Sequence, residues 1–107
     1  MPWDIAIQQA KIAQQEHRIW QSFIRKHNYR ILAINEDKIE IERMHGGQNE
    51  PLTRSDVNRA IERLKRGPVP WRQLMGGNVA KERALVELHP NVSWDEHTDK
   101  ISWSDRP

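Results

Sequence analysis

Arginines at helical spacing are the residues of this chain best suited to a chemical task, and that task is the binding of phosphate. Arg59, Arg63 and Arg66 recur at spacings of four and three, which places them on one side of a helix. A planar guanidinium group can hold a phosphate or a guanine with two hydrogen bonds. Residues 53 to 83 carry eight Lys or Arg against three Asp or Glu, whereas the whole chain has a formal net charge of only +2. The basic charge is therefore concentrated in one segment.

Local signals define the elements that would position these arginines. Thr53-x-x-Asp56 is the pattern of a helix N-terminus, and Gly67-Pro68 ends that helix. Residues 70 to 75 predict a short helical segment, and Gly76-Gly77 supplies the positive φ angles of a tight turn. Asn78 is a suitable N-cap for a further helix over residues 79 to 89. The expected inward-facing residues of the two longer helices are Val57, Ala60, Ile61, Leu64, Ala84, Leu85 and Leu88.

A tryptophan hairpin is predicted at residues 92 to 103. Val-Ser-Trp at 92 to 94 and Ile-Ser-Trp at 101 to 103 alternate with period two around a polar turn. Pairing Trp94 with Ile101 also places Val92 opposite Trp103 and Asp95 opposite Lys100. That single register puts every large apolar side chain of the hairpin on one face.

This order of elements, over about residues 53 to 103, resembles winged helix-turn-helix DNA-binding domains. The resemblance implies that the helix after the Gly-Gly turn enters the major groove of double-stranded DNA and that the hairpin forms the wing. Asn78, Lys81 and Arg83 would then lie near the leading end of the reading helix. Asn can pair with adenine, and Lys or Arg can reach guanine. The phosphate contacts implied are Arg59, Arg63, Arg66 and Arg72.

Two other interpretations remain open at the level of sequence. The tip of the hairpin, residues 95 to 99, is acidic, whereas a wing along a phosphate backbone should be basic. The chain could therefore be a protein-interaction adaptor, or an accessory or inhibitor subunit of a nuclease that mimics DNA with its acidic hairpins. In the adaptor the arginines would pair with an acidic surface of the partner; otherwise they would form a solvated helix face balanced by Asp56 and Glu62.

The N-terminal part predicts a long helix and a β-hairpin. Ile5, Ile12 and Ile19 recur every seven residues, which predicts one helix from Pro2 to about His27. Such a helix would be roughly 38 Å long, so it would either lie across the small sheet of its own chain or extend one end to a second copy or a partner protein. Residues 29 to 44 alternate around a turn at 35 to 38, with Leu32 and Ile34 opposite Ile41 and Ile39. Residues 45 to 51 have turn composition and predict the most mobile loop.

The expected fold class is therefore α+β, a long N-terminal helix and hairpin followed by a winged-helix unit. The 107 residues are expected to form a single domain, with the helix and hairpin over 1–44 and the winged-helix-like unit over 53–103. It would serve either as a small regulator or as the recognition domain of a larger DNA-processing protein. Four of the five tryptophans are expected in the core, with Trp3 exposed as a candidate partner contact.

The sequence contains no pattern that indicates a catalytic site or a cofactor. The chain has no cysteine, which excludes disulfides and thiolate zinc sites and is compatible with a reducing cytoplasm. No apolar run approaches the roughly 18 residues that span a bilayer. The histidines lack the spacing of a metal site, and neither Gly-Gly pair begins a phosphate-binding loop. We therefore expect a non-enzymatic cytoplasmic protein without metal or cofactor and without a membrane partner. The histidines considered are His17, His27, His45, His89 and His97.

Overall fold

The computed structural model describes residues 2–23, 27–44, 46–47 and 49–104. The chain begins with helix α1 (Pro2–Gln15) and continues through four strands, β1 (Ile19–Gln21), β2 (Asn28–Ile34), β3 (Lys38–Arg43) and β4 (Asn49–Thr53). Helix α2 (Arg54–Leu64), strand β5 (Val69–Pro70) and helices α3 (Trp71–Leu74) and α4 (Val79–Leu88) follow. Strands β6 (Val92–Asp95) and β7 (Lys100–Trp103) complete the fold, which is α+β as expected.

Two antiparallel sheets share one core. The first has the strand order β1-β2-β3-β4 and the second has the order β5-β7-β6. Helix α4 touches β3 and β4 of the first sheet and β6 of the second, and it also contacts α1 and α3. The buried apolar side chains form a continuous cluster that runs from Trp3 to Ile101. Within the described residues, no helix has both the length and the apolar character needed to cross a bilayer.

The N-terminal helix is shorter than the sequence predicted, so the prediction of one helix to about His27 was wrong. Helix α1 ends at Gln15, and His17 adopts a left-handed conformation with φ of 52°. The amide of Arg18 donates to the carbonyl of Ala13 and that of His17 to the carbonyl of Gln14, the pair of bonds that closes a Schellman motif. Glycine usually occupies this position, and its absence concealed the helix end in the sequence.

The buried face of α1 also differs from the predicted isoleucine stripe. Trp3, Ala6, Ala10 and Ala13 are buried, whereas Ile12 is 40% exposed. The three small alanines let α1 pack against β2, α2 and α4. Trp3 was expected to be exposed but is 3% exposed, and its indole Nε1 donates to the Glu36 carbonyl at 2.9 Å. The indole thereby anchors α1 to the β2–β3 turn.

The first hairpin contains a β-bulge that shifts part of the predicted register. Ile34 pairs with Ile39 as expected, but Ile31, and not Leu32, pairs with Ile41. The bulge lies between Ile31 and Ala33, and the carbonyl of Leu32 accepts a hydrogen bond from Gln14 Nε2 at 3.0 Å. An extra residue at a bulge reverses which side chains face the core. As a result, Ile31 is buried and Leu32 is 39% exposed.

Part of the predicted loop at 45 to 51 is strand β4, which pairs with β3 at the edge of the first sheet. Pro51 is tolerated there because an edge strand needs fewer backbone donors. His45 and Gln48 lie outside the described residues. Strand β5 was not predicted either, because a two-residue strand carries no periodicity of its own.

The C-terminal half follows the predicted elements closely. Thr53 and Asp56 form a capping box at the start of α2, and Val57, Ala60, Ile61 and Leu64 are buried. Gly76 and Gly77 have φ of 68° and 80°. Helix α4 buries Ala84, Leu85 and Leu88. Strands β6 and β7 adopt the predicted register, with Trp94 opposite Ile101 and Val92 opposite Trp103.

Candidate nucleic-acid interface

Helix α2 presents its arginines to solvent because its opposite side is fixed in the core. The capping box and the buried Val57, Ala60, Ile61 and Leu64 set the rotation of the helix. Arg59 and Arg63 on α2, and Arg66 just after it, are exposed. Among the described residues, none of these three arginines takes part in an ion pair. Their charge is therefore available to a ligand.

A groove of about 540 Å³ runs between α2 and the segment from α3 to the Gly-Gly turn. Arg63 Nη1 donates to the carbonyl of Gln73 across this groove, which ties α2 to α3. Two carboxylates also line it, Asp56 and Glu62. The lining cations are Arg59, Arg63, Arg66 and Lys81, so the groove has a net positive charge.

Lys81 contributes less to that charge than its position suggests. Its ammonium lies 3.1 Å from Asp56 Oδ2, and both side chains are about one-fifth exposed. Burial alone would raise the pKa of Asp56, but hydrogen bonds from Thr53 and Lys81 outweigh it and lower the pKa. The ion pair thus neutralises Lys81 inside the protein.

The structure separates the remaining predicted contacts from this groove. Arg72 is exposed but lies over the Trp71 ring, with its guanidinium carbon 5.0 Å from the ring centroid. Asn78 accepts a hydrogen bond from the Lys81 amide as the N-cap of α4, and its amide nitrogen donates to Glu50. Arg83 is paired with Glu87 and lies over the Phe23 ring. Asn78 and Arg83 therefore serve contacts within the fold, and Arg72 lies outside the groove.

Helix α4 as a whole is covered. Every residue of α4 is buried or partly buried, since α1, α3 and strands of both sheets contact it. A helix that reads the major groove must offer a row of exposed side chains to the base edges. In this fold α4 offers no such row, and the exposed arginines of α2 are the better-placed cations.

A buried carboxylate beneath the groove was missed by sequence reasoning. Glu82 is 0% exposed, and neither carboxylate oxygen makes a hydrogen bond of normal geometry. Burial raises its pKa to about 7, although the nearby backbone of Met75 and Leu74 and the charge of Arg63 act in the opposite direction. These backbone groups lie outside hydrogen-bond geometry, so the carboxyl has no hydrogen-bond partner among the described residues. The sequence did contain one signal of this burial: Glu82 lies three residues before Leu85, so the two side chains share one side of α4.

The described histidines and carboxylates do not form a group of three or more that could hold a metal ion. His89 is 1% exposed, and burial, followed by the charge of Lys65 among the side chains, lowers its pKa. Its ring lies 5.1 Å from that of Trp103. His89 is a packed residue of the second sheet's core.

No protein-family model matches the chain, and neither the curated proteins nor the solved structures contain a significant match to it.

Proposed function

We propose that this protein is a non-enzymatic DNA-binding module that contacts the phosphate backbone through the exposed arginines of α2. The observation that carries the proposal is the row formed by Arg59, Arg63 and Arg66, exposed beside one groove and without ion pairs among the described residues. Arginine forks suit phosphate oxygens, and contacts to phosphate supply most non-specific affinity for DNA.

A winged-helix assignment is part of this proposal. The order α2, β5, α3, α4, β6, β7 and the sheet order β5-β7-β6 support it. The covered α4 argues for a binding mode in which phosphates are contacted by α2 and bases are not read by α4. We therefore leave Asn78, Lys81 and Arg83 out of the proposed contacts and retain Arg59, Arg63 and Arg66.

The test is a titration of labelled duplex and single-stranded DNA, followed by fluorescence anisotropy at about 50 and about 200 mM salt. Three to four phosphate contacts predict a slope of log affinity against log salt of about −3 to −4 on duplex DNA. A small random-sequence panel should bind with similar affinity, because contacts to phosphate carry no sequence information. Absence of duplex binding at the lower salt concentration would overturn the proposal.

One observation favours a second candidate, association between copies of the chain through the N-terminal region. Ile19 of the edge strand β1 is 51% exposed and Leu32 at the bulge is 39% exposed, and both line a groove beside the end of α1. Edge strands with exposed apolar side chains are prone to pair with another chain. Sedimentation velocity over a concentration series would reveal a dimer, and Ile19→Lys should abolish it. A monomer at all concentrations would exclude this candidate.

A further inference from the structure

A second cationic cavity is lined by the start of α3, whereas the arginine groove is lined by the end of that helix. Its volume is about 490 Å³, within the range of small-ligand sites. Its wall comes from four parts of the fold: the segment that follows β1, strands β2 and β3, the start of α3 and the start of α4. The polar and aromatic lining residues are Ser22, His27, Tyr29, Arg43, Trp71 and Arg72.

The charge of this cavity is of one sign. Arg43 and Arg72 line it, and among the described residues no carboxylate does so. Glu50 lies in the neighbouring groove, which shares Tyr29 and Arg43 with the cavity. A concave site whose charged residues, within the described part of the chain, are both cations attracts an anion, because its walls concentrate the field of the guanidinium groups.

Three of the lining residues carry buried donors that have no acceptor among the described protein atoms. These donors are the hydroxyl of Ser22, Nε of Arg43 and the indole Nε1 of Trp71. Trp71 is 6% exposed, so its N–H group is removed from bulk water. A buried donor without an acceptor costs about 1 to 3 kcal/mol. Three such side chains line one cavity, and an acceptor-rich ligand there would offer these donors the partners they lack.

Neighbouring contacts hold these donors in place. Arg43 Nη2 lies 3.2 and 3.3 Å from the two ring nitrogens of His27, and the amide of Ser22 donates to the His27 carbonyl. The centroid of the Trp71 ring lies 5.0 Å from that of Phe23, and the backbone amide of Trp71 donates to the backbone carbonyl of Asp99. The donors are therefore preorganised, which lowers the entropic cost of binding.

We propose that this cavity binds a phosphate monoester group, with Arg43, Ser22 and Trp71 as its donors and Arg72 as an additional cation. The three donors belong to separate parts of the fold, which suits the several acceptor oxygens of a tetrahedral phosphate better than the two of a carboxylate. The cavity also has room for the group that carries the phosphate. That carrier is either a small metabolite or the 5′ end of a nucleic-acid strand. This site is independent of the arginines of α2.

The test is a ¹⁵N-resolved NMR titration of the full chain with inorganic phosphate, which follows the indole N–H resonances of the tryptophans at constant ionic strength. Trp71→Phe identifies the Trp71 resonance. We expect that resonance to shift saturably with phosphate and not with chloride. Arg43→Gln should weaken phosphate binding about ten- to a hundredfold, because a hydrogen bond to a charged group is lost.

Lys11→Gln is the matched control, because it removes one positive charge from exposed α1 and should leave phosphate binding unchanged. Arg43→Lys retains the charge but lacks Nε, so we expect an intermediate affinity for phosphate. This variant replaces Arg43→Gln if Arg43→Gln fails to fold. The proposal is overturned if phosphate causes no saturable shift, or if Lys11→Gln weakens binding as much as Arg43→Gln does.

A second pair of probes distinguishes the two carriers. A short single strand with a 5′-phosphate should compete with inorganic phosphate more strongly than the same strand with a 5′-hydroxyl if a strand end is the ligand. Equal competition by the two strands, with inorganic phosphate still bound, assigns the site to a small phosphorylated molecule. Duplex DNA without terminal phosphate is titrated on the same sample, so a failure of the α2 interface is seen separately from a failure of this cavity.

Discussion

Lys81 Nζ lies 3.1 Å from Asp56 Oδ2, so an ion pair joins the first turn of α4 to the first turn of α2. Asp56 also accepts a hydrogen bond from the Thr53 amide in the capping box of α2. One carboxylate therefore supports a helix start and a contact between helices. This arrangement assigns Lys81 a structural task that a linear reading of the charges cannot reveal.

Lys81→Met should destabilise the protein by about 1 to 2 kcal/mol, because a partly buried hydrogen bond to a charged group is lost. Urea unfolding at neutral pH measures this change. Since the pKa of Asp56 is lowered in the fold, its contribution is present above the ordinary carboxyl pKa and is lost as pH falls through the folded value. The difference between the variant and the wild type should therefore shrink in acid.

Lys38→Met is the control for this measurement. Lys38 pairs with Glu40 at 3.0 Å, but its side chain is 46% exposed. An exposed pair contributes at most about 1 kcal/mol. Equal losses in Lys81→Met and Lys38→Met would contradict a special role for the pair between α2 and α4.

Trp3→Phe tests the anchor between α1 and the β2–β3 turn. The substitution removes the hydrogen bond to the Glu36 carbonyl and leaves a small cavity, so we expect a loss of about 2 kcal/mol in the free energy of unfolding. Trp20→Phe is a matched control, because Trp20 is also buried and its Nε1 has no acceptor among the described residues. The proposed anchor fails if Trp20→Phe costs as much as Trp3→Phe.

The C-terminal half could be predicted from sequence because its signals are local. Thr53 and Asp56 specify a cap, Gly76-Gly77 specifies a turn, and only one register suits the residues of β6 and β7. The N-terminal half depends on distant contacts. Its helix ends at a non-glycine residue, its hairpin contains a bulge, and β4 forms only by pairing with β3.

The candidate site was predictable only in part for the same reason. Helical spacing correctly places Arg59 and Arg63 on the exposed side of α2. Sequence cannot show that α4 contacts strands of both sheets or that Lys81 and Arg83 are paired within the fold. The cavity around Arg43 is lined by residues from distant parts of the chain, so no sequence motif indicates it.

The combined substitution Arg59→Gln and Arg66→Gln should weaken duplex binding about tenfold or more at low salt, because two charged hydrogen bonds are lost. The salt slope should also fall by about 2, since two fewer counterions are released. Anisotropy titrations at several salt concentrations measure both quantities. We prefer these positions to Arg63, whose contact with Gln73 would confound binding with folding.

The control is the double variant Lys11→Gln and Arg18→Gln. It lowers the net charge by the same two units as Arg59→Gln and Arg66→Gln, but at α1 and just after its C-terminal end. Its duplex affinity and salt slope should remain close to those of the wild type. A similar loss in both double variants would show that total charge, and not the α2 face, governs binding.

Glu82 predicts an unusual dependence of stability on pH. Burial raises its pKa from 4.5 to about 7, so the folded protein retains a proton that the unfolded chain releases. The contribution of the neutral Glu82 carboxyl to the free energy of unfolding is fully present below the unfolded pKa and is lost as pH rises through about 7. The free energy involved is about 3 kcal/mol. Glu82→Gln should abolish this loss, which urea unfolding at pH 5 and pH 8 would measure.

Glu62→Gln serves as the control, because Glu62 is an exposed carboxylate on α2. Its pH dependence should run parallel to that of the wild type. His89, whose pKa is lowered, destabilises the fold on acidification in all three proteins, so its contribution cancels in the comparison. Parallel curves for the wild type and Glu82→Gln would show that the Glu82 carboxyl titrates without coupling to folding. A steeper decline in the wild type alone would identify Glu82 as the group that links protonation to the packing of α3 against α4.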